Sequence, residues 1–221
     1  MPFDPVNPPY PPRELRRLRR VEDRKPLNSA ILAPVVMRTL HEVAGRTSDL
    51  DWLLVGPLAA QAYHESRVVL EIDALVATIK DADRFVEACE SLARERQDST
   101  LIVDQQEIPF DVILRIHSSD STNLPPEVVK GWIEMGKPHG LGDRSVRVAE
   151  PEALFCLLIK QQGLYTDYDA RELHRLHGRG LLGPNLYSPE QFARAKELAE
   201  EAEYFNNTGI VPNRDGSLRD H

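Results

Sequence analysis

The chain has little cysteine, few aromatic residues and no long apolar run, and each shortage excludes something. Its two cysteines, Cys89 and Cys156, are far apart and form no Cys-x-x-Cys pair, so neither a disulfide framework nor a zinc ribbon is expected. Both fall on apolar faces of expected helices and read as reduced core residues. Aromatic residues make up 6% of the chain, with no pattern suited to stacking on bases, so Trp52 and Trp132 read as packing residues. No stretch approaches the roughly 18 apolar residues of a membrane-crossing helix, and the start lacks the layout of a signal peptide. The expected setting is cytoplasmic, away from a membrane. No internal repeat or long low-complexity segment is visible.

What is present fits a globular chain with a substantial core: 221 residues, 41% hydrophobic and 28% charged. The net charge is −8, but residues 1–25 carry seven Arg and Lys against four Asp and Glu. This Pro/Arg-rich arm, residues 1–27, pairs an extended Pro8-Pro-Tyr-Pro-Pro12 lead with the basic run Arg13-Glu-Leu-Arg-Arg-Leu-Arg-Arg20. It reads as a solvated arm that packs on its own acidic domain or on a partner chain, with nucleic-acid contact as the alternative.

From residue 28 to 149 the pattern predicts an α/β core. Ala30–Val43 has helical spacing, and Trp52–Val55 reads as a buried strand broken by Gly56-Pro57. A helix over Leu58–Tyr63 follows, then a strand carrying Glu71 and Asp73. Asp81–Arg96 reads as a helix capped by Asp81, with Phe85, Cys89 and Leu92 on one stripe. Thr100–Val103 and Ile108–Ile116 read as a hairpin, Pro126–Met135 as a helix and Ser145–Val148 as a short strand. Residues 150–205 read as helices only: Ala153–Ile159, Asp169–His177, and one opened by Ser188-Pro-Glu-Gln191 that runs to about Tyr204. Residues 206–221 read as a loose tail. His174 and His177 have no third ligand at zinc spacing and read as a solvated face.

The chemistry is concentrated in Arg67-Val-Val-Leu-Glu71-Ile-Asp73. Carboxylates at i and i+2 of a strand share one face, and burying them together is costly unless a cation neutralises them. Asp111, in an otherwise apolar run, joins them if its strand lies alongside. The three acids would then form a divalent metal site.

This order of strand, Gly56, helix, Arg67-x-Val69-x-Glu71-Ile-Asp73, a later Asp111 and an apolar helix with Lys160 resembles the nucleotidyltransferase superfamily of the DNA polymerase β type. It is most similar to the small prokaryotic members found as abortive-infection and toxin–antitoxin components. The resemblance spans about residues 30–178, through Asp169-Ala-Arg-Glu172-Leu. It implies an α+β fold, a mixed sheet with flanking helices and a C-terminal helical region.

By the resemblance, Glu71, Asp73 and Asp111 would hold Mg²⁺ or Mn²⁺, with Asp111 also acting on the attacking hydroxyl. Gly56, Arg67 and Lys160 would bind the nucleotide. Carboxylate-held ions suit this chemistry because nucleotidyl transfer builds negative charge on a phosphate. The implied activity moves a nucleoside monophosphate from an NTP to a hydroxyl on RNA or protein, with a cognate protein as a further partner. Three positions depart from the family pattern. Pro57 brings neither an N–H nor a hydroxyl, Glu71 replaces an Asp, and Val69 replaces a Thr. These departures supply the alternative, a catalytically silent domain that binds or regulates a partner.

Overall fold

A computed structural model describes residues 34–64, 69–103, 111–161, 164–177 and 184–208. Helix α1 spans Pro34–Arg46, strand β1 Trp52–Val55, helix α2 Gly56–Ala60 and strand β2 Glu71–Val76. Helix α3 (Ile79–Cys89) leads to β3 (Glu95–Gln97), β4 (Thr100–Val103) and β5 (Val112–His117). Then come α4 (Ser119–Thr122), α5 (Pro126–Met135), β6 (Lys137–Leu141) and β7 (Arg144–Val148), and finally α6 (Pro151–Gln161), α7 (Leu164–His177) and α8 (Pro189–Thr208). The expected α+β class holds, with a single mixed sheet in the order β3-β4-β5-β2-β1-β7-β6.

Register fixes which side chains meet. Strand β2 runs antiparallel to β1, with Val55 opposite Asp73, and parallel to β5, with Arg115 opposite Asp73 and Ile113 opposite Glu71. Interior strands are covered on both faces, so β1 is buried throughout and Ile72, Ala74, Leu75 and Val76 of β2 are buried in succession. Strand β5 alternates: Val112, Leu114 and Ile116 are buried, and Ile113, Arg115 and His117 are half-exposed on its other face. Leu53, Leu54, Ile72 and Leu114 are fully buried, each stabilising by roughly 1.5–3 kcal/mol. The same apolar core takes in Leu154, Leu158 and Leu198 of α6 and α8, and α6 and α7 pack against α2.

Several boundaries differ from the sequence reading for local reasons. Thr78, not Asp81, caps α3: its hydroxyl accepts from the Asp81 N–H at 3.2 Å. The helix ends at Cys89, passes through a short 3-10 turn over Glu90–Leu92 and becomes edge strand β3. Asp98 takes the left-handed conformation (φ 52°) that turns β3 back onto β4, which ends the helical stripe expected up to Arg96. Strand β6 escaped notice because Pro138 and Gly140 are poor strand residues; both are tolerated on an edge paired only with β7. Pro126 sits in the first turn of α5, where a missing N–H costs nothing. Ser188 and Gln191 form the expected capping box, at 3.2 and 3.0 Å. The N-terminal arm, Ile108–Phe110 and the tail beyond Thr208 lie outside the described residues.

Candidate functional site

Glu71 and Asp73 do share one face of β2, as their spacing requires. Asp73 is fully buried and Glu71 half-buried. A buried carboxylate must be compensated. The compensation comes from β5, whose alternation aims Arg115 and His117 at the same face. Arg115 grips Glu71 with both prongs, Nη1 to Oε2 at 3.0 Å and Nη2 to Oε1 at 3.2 Å. Its Nη1 also lies 3.9 Å from Asp73 Oδ1, and His117 Nε2 is 2.9 Å from that same oxygen. Burial alone would lower the Arg115 guanidinium. The hydrogen bond and charge of Glu71, with the charge of Asp73, outweigh it and hold the group above its ordinary value.

The other Asp73 oxygen, Oδ2, is buried without a hydrogen-bond partner among the described residues. It faces the β1–α2 turn, where Gly56 has φ +71° and a Cβ built on Gly56 would lie 2.4 Å from Oδ2. Only glycine meets both demands, a left-handed backbone and an empty Cβ position. Pro57 follows in the first turn of α2 and removes an N–H from the end of the helix that faces the acid.

The remaining expected site residues are placed elsewhere or lie outside the described chain. Asp111 stands just before β5, two residues ahead of the partner of Glu71, and its Oδ2 is 2.6 Å from Arg94 Nη2. Asp111 is thus engaged by Arg94, and among the described residues no group of three His, Cys, Asp or Glu side chains is arranged to hold a metal. Lys160 sits in the last turn of α6, where its charge acts on the Cys156 thiol. Arg67 falls outside the described residues. Arg115 and His117 were not singled out from the sequence. Their signal was present, since the two-residue period of Val112–His117 puts both on the face of Ile113.

The late acids and histidines form a second polar cluster, between α2 and α7. Asp169 Oδ1 lies 3.6 Å from His64 Nε2 with both side chains buried, and Glu172 holds Arg175 at 2.9 and 2.7 Å. His177 packs edge-on against Tyr63 and His174 tilts on Phe155. This corrects the solvated-face expectation, because α7 packs against α2, α6 and α8 and little of its surface is left to water.

Among solved structures, the fold matches an antigenic nucleotidyltransferase-like protein from Paracoccidioides brasiliensis, with TM-score 0.52 at 13% identity over 86% of this chain and 96% of that one. The fold is nucleotidyltransferase-like. A candidate nucleotidyltransferase from H. pylori is more distant, with TM-score 0.35 at 13% identity over 78% of this chain and 94% of that one. No family model and no curated protein matches the chain.

The resemblance read from the sequence implies a divalent ion on the acid pair, and the contacts of that pair decide whether one fits. Both Glu71 oxygens are engaged by Arg115, Asp73 Oδ1 lies against His117, and Asp73 Oδ2 points at the Gly56 backbone. An ion joining the two acids would sit beside a guanidinium. Like charges about 4 Å apart repel by about 4 kcal/mol per pair of unit charges at an effective dielectric of about 20. As arranged, these residues do not fit a divalent ion. Among the described residues, no helix is long and apolar enough to cross a membrane.

Proposed function

We propose that this chain uses the nucleotidyltransferase-like fold as a binding or regulatory module, without metal-dependent transfer. One observation carries the reading. The strand position opposite Asp73 is filled by Arg115, which already neutralises the acid pair, while Asp111 is held by Arg94. Nucleotidyl transfer needs uncommitted carboxylates that concentrate positive charge on a phosphate, and here their charge is spent inside the protein. The natural partners are a cognate protein and a nucleotide.

A second reading, Mg²⁺- or Mn²⁺-dependent transfer from an NTP to a hydroxyl on RNA or protein, draws support from the left-handed Gly56 turn set against an acid-x-acid strand. It requires Arg115 to release Glu71. Incubation of the full chain with each α-labelled NTP, Mg²⁺ or Mn²⁺, and cellular RNA separates the two. The module reading expects no label on RNA or protein. Label transfer that disappears in Asp73→Asn overturns it.

A further inference from the structure

We infer that Arg115 is a resident counter-ion that keeps divalent cations off the Glu71–Asp73 pair, and that shortening this one side chain uncovers a latent Mn²⁺ or Mg²⁺ site. The inference rests on the module reading above and adds to it: the metal is excluded by one identifiable residue, not by loss of the whole ligand set.

Three features carry it. The first is position. Arg115 is the register partner of Asp73, and its Nη1 lies between the acids, 3.0 Å from Glu71 and 3.9 Å from Asp73. A cation bridging two carboxylates at i and i+2 would take the same place. The second is burial. Asp73 is fully buried, so its charge calls for a cation beside Oδ1, whichever cation supplies it. The third is the donor set that remains without the guanidinium. Glu71 and Asp73 supply oxygens and His117, 2.9 Å from Asp73, supplies an imidazole nitrogen. Carboxylates suit Mg²⁺ and Mn²⁺, whose other positions water can fill.

The energetic balance favours the resident cation in the native chain. A tethered guanidinium is already at the site, makes two charge-assisted hydrogen bonds to Glu71 and loses less freedom than an ion taken from solution. A divalent ion must strip water and displace it. With Arg115 shortened, the net charge of the site falls by one, and the guanidinium that occupies the place of the ion is gone.

The test is Mn²⁺ uptake by the full chain, read as loss of the free Mn²⁺ signal in electron paramagnetic resonance, alongside thermal melts with and without Mn²⁺. Wild type is expected to show no uptake that depends on Glu71 or Asp73, and no Mn²⁺-dependent rise in melting temperature. Arg115→Ala is expected to take up one equivalent, at least about tenfold tighter than any binding to wild type, and to gain melting temperature with Mn²⁺. Mg²⁺ should compete, and adding Glu71→Gln should abolish the site. Arg115→Gln gives the same reading if the alanine variant does not fold. Arg115→Lys, which keeps the charge, should remain without uptake.

Wild-type uptake that Asp73→Asn removes overturns the inference, and so does a folded Arg115→Ala or Arg115→Gln chain that takes up no ion. Failure in those neutral variants, with no label transfer by wild type, sinks this inference alone and leaves the module reading standing. Label transfer by wild type sinks the module reading.

Discussion

Arg94 holds Asp111, its Nη2 2.6 Å from the carboxylate Oδ2, so the third acid already has a cation of its own. The side chains are 52% and 32% exposed, so water screens the pair. Arg94→Ala is expected to cost no more than about 1 kcal/mol in urea unfolding. A larger loss would mean that this pair anchors the start of β5.

The Gly56 turn should be far less forgiving. Gly56→Ala forces a β-carbon toward Asp73 Oδ2 at a backbone φ of +71°. The left-handed conformation alone costs roughly 1–2 kcal/mol for an L residue, and displacing a buried carboxylate adds to it. A total loss of about 2–4 kcal/mol is expected from urea titration. A variant as stable as wild type contradicts the close approach.

His174 gives the fold a pH dependence whose sign can be worked out. Burial disfavours its charged form, and Glu203 only partly offsets this, so the folded imidazole lies below its ordinary value of 6.5. The unfolded chain therefore takes up the proton first. The contribution of His174 is complete above about pH 6.5 and declines as the pH falls toward the folded value, where it levels off. Melting temperatures from about pH 7 to about pH 5 should fall less steeply in His174→Gln than in wild type. Parallel slopes would remove His174 as a source.

Burial pushes both thiols, Cys89 and Cys156, up to about 11. Thiolate is the reactive form, so a disulfide exchange reagent at about pH 8 should find neither cysteine in the folded chain. Both should react once the chain is unfolded in guanidinium. Fast labelling under native conditions would show that α3 or α6 opens readily.

The sequence by itself determined the local elements and the membership of each face. Apolar runs and their periods placed β1, β2, α5 and α8, because burial and capping are decided within a few residues. The i, i+2 spacing put Glu71 and Asp73 together, and the glycine at position 56 marked the turn beside them. Alternation also carries a signal, not read from the sequence, that puts Asp111, Ile113, Arg115 and His117 on one face of the next strand. It could not say which of the four meets Asp73. A parallel neighbour has no tight turn to set its register; α3 and the packing of β4 against β5 set it. That register, found only in the tertiary structure, put Arg115 opposite Asp73 and left Asp111 to Arg94. Asp111 and Arg115 are four residues apart, about 13 Å along a strand, and that offset separates a pair of acids awaiting a metal from a pair already neutralised by the chain itself.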